Sequence, residues 1–215
     1  MNFLKEASSK NRLKLRLAAY QNAKELEIVS DFLNQKLFFL PKIDLENIDI
    51  ERFKVSNTLR LGNQLELFFE YLLSLNESYN VLKKSTQIIN DKVTLGELDF
   101  IIENLKTEEK IHIETATKFY LFDEKDQEWI GPNRNDSLLK KLAKLKDKQF
   151  PLLYKNETID LLKKDGIEVE ELIQQIHLKS LLFIPVSMKK SSFDSRIQLN
   201  IEGVFYSLKE FEKLG

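Results

Sequence analysis

Between residues 57 and 75, Leu61, Leu65, Phe68, Phe69, Leu72 and Leu73 recur at the three- and four-residue spacing of one helix face. Asn57 is the expected N-cap and Asn76 the expected stop. The period then shortens to two. Residues 85–90 form a short β-like run. Residues 96–103 alternate, with Leu98, Phe100 and Ile102 on one side and Glu97, Asp99 and Ile101 on the other. A charged turn, Thr107-Glu108-Glu109-Lys110, leads into a second alternating run at 111–121. Ile111, Ile113, Thr115, Thr117 and Phe119 share one of its faces; His112, Glu114, Ala116, Lys118 and Tyr120 share the other.

The Gly-Pro pair within Trp129-Ile130-Gly131-Pro132-Asn133 marks a loop. Asp136 is expected to cap a helix running to about residue 148, with Leu138, Leu142 and Leu145 inward. Residues 157–178 read as helix, 180–187 as a buried strand, and 203–206 as a short strand before a terminal helix. Ahead of these, residues 3–29 read as one or two helices, and 30–56 turn acidic through Asp44, Glu46, Asp49 and Glu51. Helix, three strands, helix and strand predict an α/β fold, a mixed sheet with helices packed against it. Residues 1–56 form a mainly helical N-terminal extension in this reading, and 57–215 the core domain.

Composition narrows the chemistry. The 215 residues include no cysteine, which removes thiol catalysis, disulfide frameworks and cysteine-rich zinc sites. At 42 % hydrophobic and 31 % charged, the chain has the balance of a soluble globular protein. Its start lacks an apolar signal core, and its longest apolar runs are too short to cross a bilayer, so a cytoplasmic protein with no membrane association is expected. With a net charge of −1, any contact with nucleic acid must come from a local basic patch.

Asp99 and Glu114 interrupt otherwise apolar strands. If the strands pair antiparallel through the turn at 107–110, the two carboxylates meet on one face, and a hard divalent cation such as magnesium resolves their repulsion. Lys118 shares the Glu114 face and offers a cation for charge developing on a phosphate. The bland alternative is a buried ion-pair network. Glu66 sits inside the apolar helix stripe, directed either at the same sheet edge or at solvent, with Glu70 one turn on as its substitute. Lys140, Lys141, Lys144 and Lys148 line the next helix, either as a phosphate-tracking face or as a solvated one. Arg134 before that helix and Gln149 at its end are further candidates for nucleic-acid contact. His112 is a candidate donor or general base beside Glu114, and Trp129 and Tyr120 stack either on bases or in the core.

A helix acid, a strand Asp and a strand Glu followed by Lys resemble the PD-(D/E)XK (restriction-endonuclease-like) superfamily of metal-dependent nucleases, with its αβββαβ core. Several phrases resemble more closely a bacterial domain-of-unknown-function family, number 1853. They are Leu61-Gly62 with Glu66; Thr94-Leu95-Gly96-Glu97-Leu98-Asp99-Phe100; His112-Ile113-Glu114 with Ala116, Lys118, Phe119 and Tyr120; Trp129 to Asn133 with Asp136, Leu138, Lys141 and Gln149; and Lys179-Ser180-Leu181-Leu182-Phe183. The resemblance implies that Glu66, Asp99 and Glu114 ligand or orient Mg2+ (or Mn2+), that Lys118 is the catalytic lysine, and that the substrate is DNA or RNA. The superfamily pattern sets its lysine two residues after the acid, where this chain has Ala116. Lys118 lies about 7 Å further along the same face, and Lys140 or Lys141 is an alternative source of the cation. The rival expectation is a catalytically inactive nucleic-acid-binding or protein-interaction scaffold that keeps the fold.

Overall fold

The computed structural model describes residues 2–213 apart from 47, 51, 52, 54 and 57, with side chains described from residue 11 onward. In chain order the elements are α1 (Asn2–Asn22), α2 (Ile28–Leu33), β1 (Lys36–Leu37), α3 (Leu61–Ser74), β2 (Tyr79–Asn90), β3 (Val93–Asn104), β4 (Lys110–Asp123), β5 (Glu128–Ile130) and α4 (Leu138–Lys144). A π turn at Leu145–Gln149 follows, then α5 (Phe150–Leu152), α6 (Asn156–Lys163), β6 (Leu172–Pro185), α7 (Ser195–Gln198), β7 (Ile201–Phe205) and α8 (Leu208–Phe211). Seven strands form one mixed sheet in the order β1-β6-β4-β3-β2, with β5 also paired to β4 and β7 to β6. Helices flank it, as the α/β reading requires.

The pairing of β4 places the site. Along one edge β4 runs parallel to β6 from Lys110↔Leu172 to Leu121↔Phe183. Along the other, β3 pairs antiparallel only from Glu103↔Lys110 to Phe100↔Ile113, and β5 takes over at Leu121↔Ile130. No described strand pairs with β4 on that edge from 114 to 120. Beyond residue 113 β3 and β4 therefore diverge, leaving a fork.

Apolar clusters lie on both sides of the sheet. Leu17 and Tyr20 of α1, Phe68 and Phe69 of α3, and Phe100, Ile102, Ile111 and Ile113 form one. Leu26, Val29, Leu138, Leu142, Tyr120, Trp129 and Leu178 form a second, and Ile88, Leu98, Ile101, Leu152 and Leu162 a third. Among the described residues no helix is long and apolar enough to cross a membrane.

Several expectations need correction. Residues 172–178 are strand, not helix. β6 is buried between neighbours on both faces, so its apolar residues do not alternate with polar ones. Leu162, Val169, Leu172 and Ile176 then mimic helical spacing across a break, where Gly166 adopts φ +72°. β2 begins at Tyr79, six residues before the expected run. β3 does not alternate throughout: Leu98 and Ile101 share one core cluster while Phe100 and Ile102 share another. The reversal falls at Asp99, opposite Ser85 with φ 43°. The cap of α4 is Ser137, whose hydroxyl accepts from the Lys140 N–H at 3.3 Å, because the Asp136 carboxylate is turned to Lys118. Asn57 lies outside the described residues, and α3 starts after Arg60. Trp129 and Tyr120 are buried, Trp129 against Phe122 and Phe193, so neither stacks on bases.

Candidate functional site

At the fork, the Thr115 N–H has no β3 carbonyl opposite it and donates instead to Asp99 Oδ2 at 2.8 Å. The Thr115 hydroxyl lies 3.3 Å from the same oxygen. A backbone group left open by the sheet thus fixes the strand carboxylate. Burial raises the Asp99 pKa most, and Glu114 raises it further. The Thr115 N–H and Lys141 pull it back, leaving it near about 7.

Glu114 projects from the opposite face of β4 to Ile111 and Ile113 and is completely buried. One oxygen lies 3.1 Å from His112 Nε2, and the other accepts from the Gln149 side-chain amide. The Gln149 carbonyl in turn accepts from Lys141 Nζ at 3.0 Å. Burial lowers the Lys141 pKa, opposed by the attraction of Glu114 and Asp99. Lys141, projecting from α4, is therefore the ammonium that senses both strand acids.

Two clefts open beside the fork, one reaching Asp99 and the other Lys141, while Glu114 stays buried behind them. The first, ≈ 270 Å³, is lined by Asn63, Glu66, Glu70, Ser85, Glu97, Asp99 and Thr115. The second, ≈ 170 Å³, is lined by Tyr20, Gly62, Glu66, Ala116, Thr117, Lys118 and Lys141. Glu66 borders both from the rim, and its pKa is raised by loss of water and then by Glu97, while Lys141 opposes the rise. Glu70 is engaged by Lys84.

Lys118 lines the second cleft, but its ammonium is 2.6 Å from Asp136. Arg134 is paired with Asp123 at 2.6 Å. Of the lysines around α4, Lys140, Lys144 and Lys148 are exposed and Lys141 turns inward. The fold thus gathers Asp99, Glu114, Lys141 and Gln149, sets Glu66 and Lys118 at the borders, and leaves Arg134, Lys140 and Lys144 on the outer surface. Among the described residues, no group of three or more His, Asp or Glu side chains is placed to hold a metal ion.

Sequence reasoning did not find Thr115, whose part is played by a backbone N–H, or Gln174, whose amide nitrogen reaches both the Phe150 carbonyl at 2.9 Å and His112 Nδ1 at 3.2 Å. The only signal for Gln174 was a polar residue within an apolar run, which the helical reading of that run obscured.

Residues 7–215 match the family model described as Domain of unknown function (DUF1853). No curated protein and no solved structure matches the chain.

Proposed function

For this chain, which belongs to the Domain of unknown function (DUF1853) family, we propose hydrolysis of phosphodiester bonds in DNA or RNA, by a nuclease of the PD-(D/E)XK kind using magnesium or manganese. The observation that carries this reading is the placement of Asp99 and Glu114 at one strand fork with Lys141 as their shared cation. Burial first, and then the neighbouring Glu114, keep the Asp99 pKa raised despite Lys141, and a divalent cation with a preference for oxygen ligands would offset both. Asp99 and Glu114 would hold it, with Glu66 orienting from the cleft rim. When bound, such a cation supplies Lewis-acid stabilisation of charge at phosphorus and a more acidic water.

The chain's own residues do the rest. The Lys141 ammonium faces the negative charge that builds on the phosphoryl oxygens. Lys118, in the adjoining cleft and tied to Asp136, steadies the rim from which the substrate enters. Exposed Lys140 and Lys144 contact flanking phosphates and set register. Gln149 holds Lys141, and Arg134 braces its loop through Asp123.

A second reading, a nucleic-acid-binding or protein-interaction scaffold that keeps the fold, is favoured by one observation. Both Glu114 oxygens already have protein donors, and no three-residue ligand group is assembled among the described residues. Incubating the protein with single- and double-stranded DNA and RNA, with and without magnesium or manganese, separates the two. The nuclease reading expects metal-dependent cleavage of at least one substrate and its loss in Asp99→Asn. No cleavage, together with no rise in melting temperature on adding metal, leaves the scaffold.

A further inference from the structure

Glu114 sits at the middle of a chain of hydrogen bonds whose directions are forced from both ends. At one end the Phe150 carbonyl can only accept, so the group 2.9 Å from it is the Gln174 amide nitrogen. That nitrogen's second hydrogen faces His112 Nδ1 at 3.2 Å, which must then be an acceptor. His112 is thereby set as the tautomer with its proton on Nε2, donating to Glu114 across 3.1 Å. At the other end the Lys141 ammonium can only donate, which fixes the Gln149 oxygen toward it and the Gln149 amide toward Glu114. Every donor meets an acceptor, and the chain joins α4 and the π turn to β4 and β6.

The π turn brings Gln149 into line. Eight residues of unbroken α-helix, at about 100° each, would set Gln149 some 80° around the axis from Lys141. In the turn the Phe150 N–H reaches back five residues to the Leu145 carbonyl, and the wider coil takes up part of that rotation. Pro151 accounts for the turn: it has no N–H to donate, and its ring would strike the Asp147 carbonyl in a regular helix.

We infer that Gln149 and Gln174 are positioning residues: Gln149, delivered by the π turn before Pro151, ties the Lys141 ammonium to Glu114, and Gln174 fixes the far side of Glu114 through the tautomer of His112. The catalytic consequence rests on the nuclease reading; the geometry does not. None of these groups touches the scissile phosphate in this role. They set where the carboxylate and the ammonium stand.

The test uses near-isosteric variants and two readouts that need no turnover. The rate at which an amine-acylating reagent labels Lys141 rises several-fold in Gln149→Met and in Pro151→Ala, and stays slow in Gln149→Glu, which keeps an acceptor for the ammonium. Nitrogen NMR of wild type finds the His112 proton on Nε2, and that signal broadens or is lost in Gln174→Met. In metal-dependent cleavage, Gln149→Met and Gln174→Met lower kcat by about ten- to a hundredfold with KM little changed, the size expected for a small misplacement of reacting groups. Equal Lys141 labelling in wild type and Gln149→Met, or a His112 proton on Nδ1, overturns the inference. If wild type cleaves nothing, the nuclease reading fails, while labelling and NMR still decide whether the chain of bonds exists.

Discussion

Asp99 loses hydration in the fork and faces Glu114 without a direct lysine partner, so its carboxyl holds its proton well above the ordinary range. The consequence for stability has a definite sign. Between the ordinary value of 3.8 and about 7, the native state binds the Asp99 proton and the unfolded chain does not. Stability therefore falls as pH rises through that window. Asp99→Asn keeps an acceptor for the Thr115 N–H and removes the titration. The melting temperature of the variant is expected to exceed that of wild type at pH 8 and to converge with it near pH 4, and saturating magnesium should narrow the gap for wild type alone. A gap that is constant with pH would show that Asp99 does not titrate there. At the same scale the two cleft lysines separate by consequence. Lys141→Ala is expected to lower the cleavage rate by about 100- to 1,000-fold, as loss of a charge-stabilising donor does, and Lys118→Ala by under about tenfold. The reverse order would return the catalytic cation to Lys118.

At the scale of elements, β3 carries the Asp99 side of the fork, and its seat on α5 is narrow. A Cβ added at Gly96 would lie 2.7 Å from Leu152 Cδ2, and Leu152 is itself buried in the third core cluster. Gly96→Ala should cost about 1–3 kcal/mol by overpacking. Leu152→Ala alone should cost about 2–5 kcal/mol through the cavity it leaves. Because the two changes act on one space, the double variant should be more stable than the sum of the singles predicts. Urea unfolding of the four proteins measures the coupling, and strict additivity would show that Gly96 and Leu152 do not compete. The register of β3 then sets Asp99 beside Thr115, so the Gly96 contact lies three residues from the site it supports.

Across the whole molecule, the described segment from Tyr20 to Leu37 is joined to the sheet. β1 pairs with β6 at Lys36↔Gln175 and Leu37↔Ile176, the Leu26 N–H donates to the Leu178 carbonyl at 2.8 Å, and Tyr20 borders the second cleft. Lys179 secures the join from inside: it is 2 % exposed, and its ammonium lies 3.0 Å from Glu25 and over the Tyr20 ring.

 Burial lowers the Lys179 pKa, and Glu25 opposes that shift. Glu25→Gln would leave a buried ammonium without its counter-charge, at a cost of about 3–5 kcal/mol. Thermal and urea unfolding should show that loss, and a change within about 0.5 kcal/mol, the size of an ordinary surface substitution, would show that the pair does not secure the join.

The sequence by itself determined the elements whose periodicity is local. The α3 stripe, the run that became β4 and the turn before it were legible because each residue's face follows from its neighbours, and the run that became β3 was legible as a strand though not in the facing of all its residues. So were Asp99, Glu114 and Glu66 as charges out of place in apolar runs. Only the tertiary structure decided what depends on contacts distant in sequence. The strand character of 172–178 comes from pairing with β1 and β4, and burial on both faces erases its alternation. The reversal at Asp99 falls opposite the left-handed Ser85 of β2, and it sends Leu98 and Phe100 into different core clusters. The linking of Lys141 rather than Lys118 to Glu114 follows from Asp136 taking Lys118 and from a π turn lining up Gln149. A lysine's charge is written in the sequence, but its partner is set by which carboxylate the packed chain brings within reach.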